Sequence, residues 1–285
     1  MREGDVLSRG HSCRAFSRGA DSLALHTWGD TSAELSDVFY VHGLQSHAGW
    51  LFETGPALLD RGVRLTALDR RGSGRSPGRR GHLDDAAALL DDYAAALAAL
   101  ADTATAPITV VGQSFGGSVL AALVATGRVP ESAAVVLCAP ALGQQRARMD
   151  AAALDIRRLH KGSGYTVVRI EDEQYTDVPE YLRVMANDGL MVRSLTDSFR
   201  SVMVEIEDLY VTGGAGPWSD RDVFVALPAA DSIIDQAASL AVLEDLAPHA
   251  RLREFPTTSH FLEFTPARTG YWDWLAGLTV VVAAC

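Results

Sequence analysis

The residue with the most chemistry to offer is a serine set between two glycines. Gly112-Gln113-Ser114-Phe115-Gly116 follows the β-branched run Ile108–Val111 and precedes a stretch of small residues that reads as a helix. A serine on a sharp strand-to-helix turn projects above a sheet edge, and glycines two residues to either side let neighbouring backbone pass close. The helix N-terminus behind it favours developing negative charge. The chemistry on offer is nucleophilic attack on an acyl carbon.

A serine hydroxyl near neutral pH needs a base, and the base needs a partner to orient it. Nucleophiles of this strand–turn–helix kind take their partners in the chain order Ser, Asp or Glu, His. His260, the last histidine, lies just after the final expected strand in Pro256-Thr257-Thr258-Ser259-His260-Phe261, where a loop can carry an imidazole over Ser114. His249 competes, but it follows Pro248 in a helix-end turn before that strand and reads as exposed. The acid is expected after the penultimate strand, in Pro228-Ala229-Ala230-Asp231-Ser232-Ile233-Ile234-Asp235. Asp231 comes first and is the choice; Asp235 is the fallback and reads as the cap of the next helix. Two backbone donors are needed for the oxyanion. Phe115, after the nucleophile, supplies one and Leu44, after His42-Gly43, the other. His42 reads as a structural histidine bonding loop backbone. His47, Trp50 and Gln113 are candidates to line the substrate pocket.

The elements that must hold these residues alternate between short apolar runs and helical patterns, the rhythm of a mainly parallel sheet flanked by helices, an α/β fold. Strands are expected at Val38–Val41, Val63–Leu68, Ile108–Val111, Ala133–Cys138, Val223–Leu227 and Leu252–Phe255. A helix opening at Asp84/Asp85 carries apolar Ala86, Leu89, Leu90, Tyr93, Leu97 and Leu100 at helical spacing. Between about Ala141 and Trp218 the rhythm gives way to charged helical segments at Arg146–His160, Val178–Asn187 and Met191–Asp208, with a loop at Lys161–Tyr165. Residues 141–218 are therefore expected to form a helical cap on a core of 1–140 and 219–285. Such a cap would lie over the carboxyl ends of the strands, where ligands of open α/β sheets bind.

Composition narrows the class. At 285 residues the chain can bury one large core. A formal charge of −11 argues against nucleic acid and against electrostatic docking on anionic lipid. Cys13, Cys138 and Cys285 lie far apart without ligand spacing, which points away from a disulfide framework or metal site and toward a reducing compartment. No leader-like apolar stretch or membrane span is evident, so a cytoplasmic protein without stable membrane insertion is expected.

These residues together resemble the monoacylglycerol lipase and bacterial lysophospholipase family of the α/β-hydrolase superfamily. His42-Gly43-Leu44-Gln45-Ser46-His47-Ala48-Gly49 is similar to that family's oxyanion segment. Asp69-Arg70-Arg71-Gly72-Ser73-Gly74-Arg75-Ser76 matches its D-x-R-G-x-G-x-S element, which is shared across the superfamily; the continuation Gly78-Arg79-Arg80-Gly81-His82 is more specific. The elbow, Val135–Leu142 and Asp231-x-x-x-Asp235 fit as well, so the likeness spans most of the chain outside the cap. It implies hydrolysis of a carboxylic ester through an acyl-enzyme, with a small-molecule acyl ester or thioester as substrate and no metal or organic cofactor. Gln113 stands where such lipases often carry histidine, and Arg157-Arg158 and Glu171-Asp172-Glu173 charge the cap. Both point to a substrate smaller or more polar than a monoacylglycerol. A thioesterase or an acyl-transferring or eliminating enzyme could use the same residues. So could a peptidase of the proline-iminopeptidase kind, with Glu171–Glu173 holding an amine, and a non-catalytic receptor could keep the fold without turnover.

Overall fold

The structure, a computed structural model, describes residues 9–30, 35–149 and 164–283. An eight-stranded sheet runs through it in the order β1-β2-β4-β3-β5-β6-β9-β10. The strands are β1 (His11–Arg18), β2 (Asp21–Trp28), β3 (Ser36–Val41), β4 (Val63–Leu68), β5 (Thr109–Gln113), β6 (Ala134–Cys138), β9 (Val223–Pro228) and β10 (Arg251–Phe255). From β4 to β10 neighbouring strands are parallel. β2 meets β4 antiparallel and β1 meets β2 antiparallel at the outer edge.

The inner parallel strands β3, β4, β5, β6 and β9 match the apolar runs because both their faces are covered, whereas the edge strand β10 buries only Phe255. In β3, Phe39 and Val41 enter one apolar cluster while Val38 and Tyr40 enter the other. The first cluster packs against α2 (Ala86–Ala101), α3 (Phe115–Ala125) and α6 (Asp197–Gly213); the second packs against α1 (Thr54–Leu59) and α8 (Arg268–Ala283). Leu120 and Leu97 are fully buried, each contributing roughly 1.5–3 kcal/mol by leaving water. α2 begins where Asp85 accepts the Ala88 amide at 2.7 Å, and it buries Leu89, Leu90, Tyr93 and Leu97.

β1 and β2 are additions to the expected strands. Along β1 the side chains are largely exposed, and β2 interrupts its buried half with His26 and Thr27, so neither shows an uninterrupted apolar run. The chain between β6 and β9 also differs from a purely helical excursion. β7 (Tyr165–Val167) pairs antiparallel with β8 (Ser194–Thr196) in a sheet of its own. The helix expected over Met191–Asp208 is therefore corrected: it starts only at Asp197, after Thr196 caps it by accepting the Phe199 amide at 3.1 Å. Two short helices, α4 (Asp172–Tyr175) and α5 (Pro179–Ala186), lie between β7 and β8, and α7 (Gln236–Leu246) follows β9. Most of the segment Arg146–His160 lies outside the described residues.

Candidate active site

The parallel strands deliver their carboxyl ends to one edge, and the chemistry-bearing loops leave from there. At the end of β5, Ser114 adopts φ 55° and ψ −120°, a left-handed conformation unusual for a side-chain-bearing residue. Surrounding backbone enforces it: the Ser114 amide donates to Cys138 O at 2.9 Å, and Ser114 O accepts from Gly117 at 2.9 Å and Ala141 at 3.1 Å. A Cβ at Gly116 would lie 2.0 Å from Val41 O, so only glycine lets α3 start this close to β3.

His260 sits in the loop after β10 and Asp231 in the loop after β9. Their side chains are 0% exposed, and the imidazole Nδ1–H donates to Asp231 Oδ2 at 2.7 Å. Asp231 Oδ1 accepts the amides of Ile233 at 2.8 Å and Ile234 at 2.9 Å. Burial on its own would raise the pKa of Asp231, but the His260 charge and hydrogen bond and the two amides outweigh it, holding the carboxyl below its ordinary range. With Nδ1 protonated, Nε2 presents its lone pair, which lies 3.2 Å from the Gln113 side-chain nitrogen. Among the described residues the Ser114 hydroxyl has no hydrogen bond, so Gln113 holds Nε2 in this structure.

Beyond β3 the loop His42–His47 passes beside the elbow; a Cβ on Gly43 would stand 3.4 Å from Ser114 Cβ and 2.3 Å from Gln113 Oε1. Arg70, 1% exposed, organises this loop. Its guanidinium donates to Gly43 O at 2.6 Å and also to Leu44 O. In a trans peptide N–H and C=O point opposite ways, so the Leu44 N–H points away from the guanidinium. Phe115 is the first residue of α3, and such amides have no intrahelical acceptor. His42 accepts the Arg70 amide on Nε2 at 3.3 Å and faces Gly43 O with Nδ1 at 3.0 Å. Burial, then Arg70, pushes its pKa well below the ordinary value, which keeps it neutral.

The candidate pocket residues part company here. Gln113 touches the imidazole and abuts Gly43. His47 Nε2 and Trp50 Nε1 instead meet one carboxylate oxygen of Asp188, at 3.0 and 2.7 Å. Trp50 packs among Tyr175, Phe261 and Phe264, so a ring separates it from His260. His249 is exposed and its Nε2 meets Arg221 O at 3.0 Å. Asp235 accepts the Ala238 amide at 3.0 Å as the cap of α7. Among the described residues no group of three or more His, Cys, Asp or Glu is arranged to hold a metal ion. A cavity of about 370 Å³ runs beside the acid loop, between Gln144, Arg148 and Ser232–Asp235. Sequence reasoning missed Arg70, Asp188 and Gln174, described below; for Arg70 the signal was its place inside the Asp69–Ser76 element.

Three residues past His260, Glu263 is a second buried carboxyl, 1% exposed. Tyr40 donates to Oε1 at 2.5 Å, and Oε2 has no partner among the described residues. Burial pushes its pKa up to about 7 against the weaker pull of the Tyr40 hydrogen bond.

The chain is similar to known proteins in sequence and in fold. The family model described as serine aminopeptidase, S33 matches residues 34–266. A monoacylglycerol lipase of Mycolicibacterium smegmatis is 33% identical over 126 residues, which cover 44% of this chain and 44% of that protein. The chain thus matches less than half the length of that curated relative. Among solved structures, a soluble variant of the monoglyceride lipase of Saccharomyces cerevisiae superposes with a TM-score of 0.81 at 13% identity, covering 98% of each chain. The monoacylglycerol lipase of Paleococcus ferrophilus gives 0.77 at 19% identity, covering 91% of this chain and 99% of its own. At those identities the superpositions speak for the fold.

Proposed function

The chain belongs to the serine aminopeptidase S33 family of α/β-hydrolases, and on that premise we propose that it cleaves a carboxylic ester through an acyl-enzyme on Ser114. The observation that carries the reading is the buried Asp231–His260 pair, whose 2.7 Å hydrogen bond fixes the imidazole with Nε2 as acceptor beside the elbow. Catalytic hydrogen bonds are often unmade without substrate and tighten when it binds. In the proposed cycle Ser114 Oγ replaces the Gln113 amide at Nε2, His260 takes its proton, and Oγ attacks the acyl carbonyl. The Leu44 and Phe115 amides receive the oxyanion. His260 then protonates the departing alkoxide, and water repeats the sequence on the acyl-enzyme. Asp231 stabilises the imidazolium throughout.

Residues 141–218 are read as a cap over this edge and the remainder as the core. A monoacylglycerol is the substrate the relatives' names suggest; a lysophospholipid or a smaller acyl ester belongs to the same proposed class. An aminopeptidase would need a free acidic anchor for the substrate amine. Here Asp172 is bound by Arg193 at 2.5 Å and the Glu171 side chain serves the capping box of α4, while Glu173 is exposed. No described helix is long and apolar enough to cross a membrane.

Labelling with a fluorophosphonate tests the mechanism. Label is expected on the wild type and absent from Ser114→Ala and His260→Ala, with turnover of p-nitrophenyl esters in Ser114→Ala down by several orders of magnitude. Ester hydrolysis undiminished in Ser114→Ala overturns the reading. A matched panel of oxygen esters and thioesters graded by acyl length then separates esterase from thioesterase.

A further inference from the structure

The loops that meet at the site leave strands set well apart. In the order β3-β5-β6-β9-β10, the oxyanion loop and the acid loop are three strand spacings apart, about 14 Å, and the base loop is one spacing farther. One dipeptide of the excursion touches all of them. Gln174 O accepts the His260 amide at 3.1 Å, and Tyr175 O accepts the Phe261 amide at 3.1 Å. The Gln174 side chain donates to Ser232 O, the carbonyl next to Asp231, at 2.8 Å, and Ser232 Oγ returns to Gln174 O at 3.4 Å. Tyr175 OH donates at 2.8 Å to Oε1 of Gln45, the residue after Leu44, and the Tyr175 ring stands edge-on to His260 with centroids 5.8 Å apart.

The local structure leaves these groups little freedom. Gln174 Oε1 accepts the Glu171 amide at 3.0 Å within the capping box, so the amide nitrogen of the same side chain is turned to Ser232. Tyr175 is 5% exposed. Gln45 is pinned from its other side, its Nε2 donating to Val192 O at 3.0 Å while its carbonyl accepts the Val192 amide at 3.0 Å. The excursion thus grips the base, acid and oxyanion loops at neighbouring points.

We propose that Gln174 and Tyr175 are positioning residues that register the three loops on one another, so that the excursion braces the reacting geometry as well as covering it. The proposal rests on the ester-hydrolase reading for its catalytic consequence. Loss of registration acts on the arrangement of nucleophile, base and oxyanion donors, where a displacement of about 1 Å costs on the order of 10²-fold in rate. It leaves the surfaces that hold the ground-state substrate largely in place. The expected signature is therefore in kcat and in labelling rate, with KM nearly unmoved.

The test uses Gln174→Met, which keeps the side-chain length and removes both the donor to Ser232 and the acceptor for the Glu171 amide, Tyr175→Phe, which removes only the hydroxyl on Gln45, and the double variant. Arg146→Ala, which breaks an exposed ion pair with Asp208 elsewhere in the excursion, is the control. Thermal melting establishes that each is folded. Each single variant is expected to lower kcat and the fluorophosphonate rate by roughly 3- to 10-fold and the double by roughly 10²-fold, with KM within about 2-fold and the control unchanged. A second readout needs no turnover: the downfield proton resonance of His260 Nδ1–H, sharp in wild type and control, is expected to broaden or move upfield in the double variant. Unchanged kcat in the folded double variant, or a change in KM alone, overturns the proposal. A wild type that neither labels nor hydrolyses esters removes the hydrolase reading. The Nδ1 proton then still decides the brace, supporting it if perturbed in the double variant and refuting it if unmoved.

Discussion

Two buried carboxyls flank the His260 loop, and their pockets treat the same chemical group in opposite ways. Asp231 is met by an imidazole and two amides, all donors, and its carboxyl is held in the charged form. Glu263 is met by one tyrosine hydroxyl, leaves Oε2 without a partner, and is pushed up to about 7. Glu263 is the more deeply buried and has the fewer donors, so both differences favour the charged form only in the first pocket. An anion in the first pocket is placed to stabilise an imidazolium, whereas the second pocket disfavours the charged acid. The two also pull stability in opposite directions with pH. A depressed folded pKa gives stability that is lost as pH falls through it; a raised one gives stability that is full below the unfolded value of 4.5 and lost as pH rises through about 7.

The sharpest way to break this contrast is Asp231→Asn. It keeps the shape, destroys the acceptor for Nδ1–H and is expected to lower kcat on the order of 10⁴-fold with little change in KM, read by steady-state kinetics on a p-nitrophenyl ester. Arg70→Met comes next. Removing the guanidinium strands the Gly43 and Leu44 carbonyls, freeing the oxyanion loop and lowering kcat roughly 10²-fold; urea denaturation should show a loss of about 1–3 kcal/mol. Glu263→Gln is expected to leave kcat within about 3-fold while abolishing the pH slope of its pocket. The wild type should lose roughly 3 kcal/mol between pH 5 and 9 through this group, and the variant should lose less by that amount in pH-resolved denaturation. An equal slope in both proteins would show that Glu263 is charged as folded. Asp235→Ala should have the smallest effect, about 1 kcal/mol from the lost cap of α7 and no change in kcat. A large kcat loss there would move the acid role from Asp231 to Asp235.

What could be read from the chain beforehand follows the range of the forces involved. The parallel strands and α2 were legible because burial on both faces, or on one helical face, writes an apolar period into adjacent residues. The positions of the candidates Ser114, Asp231 and His260 were legible because each follows a strand of the sheet, β5, β9 or β10. β1 and β2 were not, since an edge hairpin can carry His11, Arg14, His26 and Thr27 with no period to betray it. Nor were β7 and β8, three residues each, too short to show alternation. The supporting contacts were hidden for a different reason. Gln113 meets His260 across 147 positions and Tyr175 meets Gln45 across 130, and nothing local to any of the four announces its partner.

The backbone at Ser114 has a consequence outside kinetics. Its φ and ψ belong to a region where a residue bearing Cβ sits on the order of 1–3 kcal/mol above its relaxed state, and glycine does not share that penalty. The proposed nucleophile is therefore a point where selection for reactivity would oppose selection for robustness. A Ser114→Gly protein, though inert, should outlast its parent on heating, which makes it the natural vehicle for trapping an uncleaved ligand in the site.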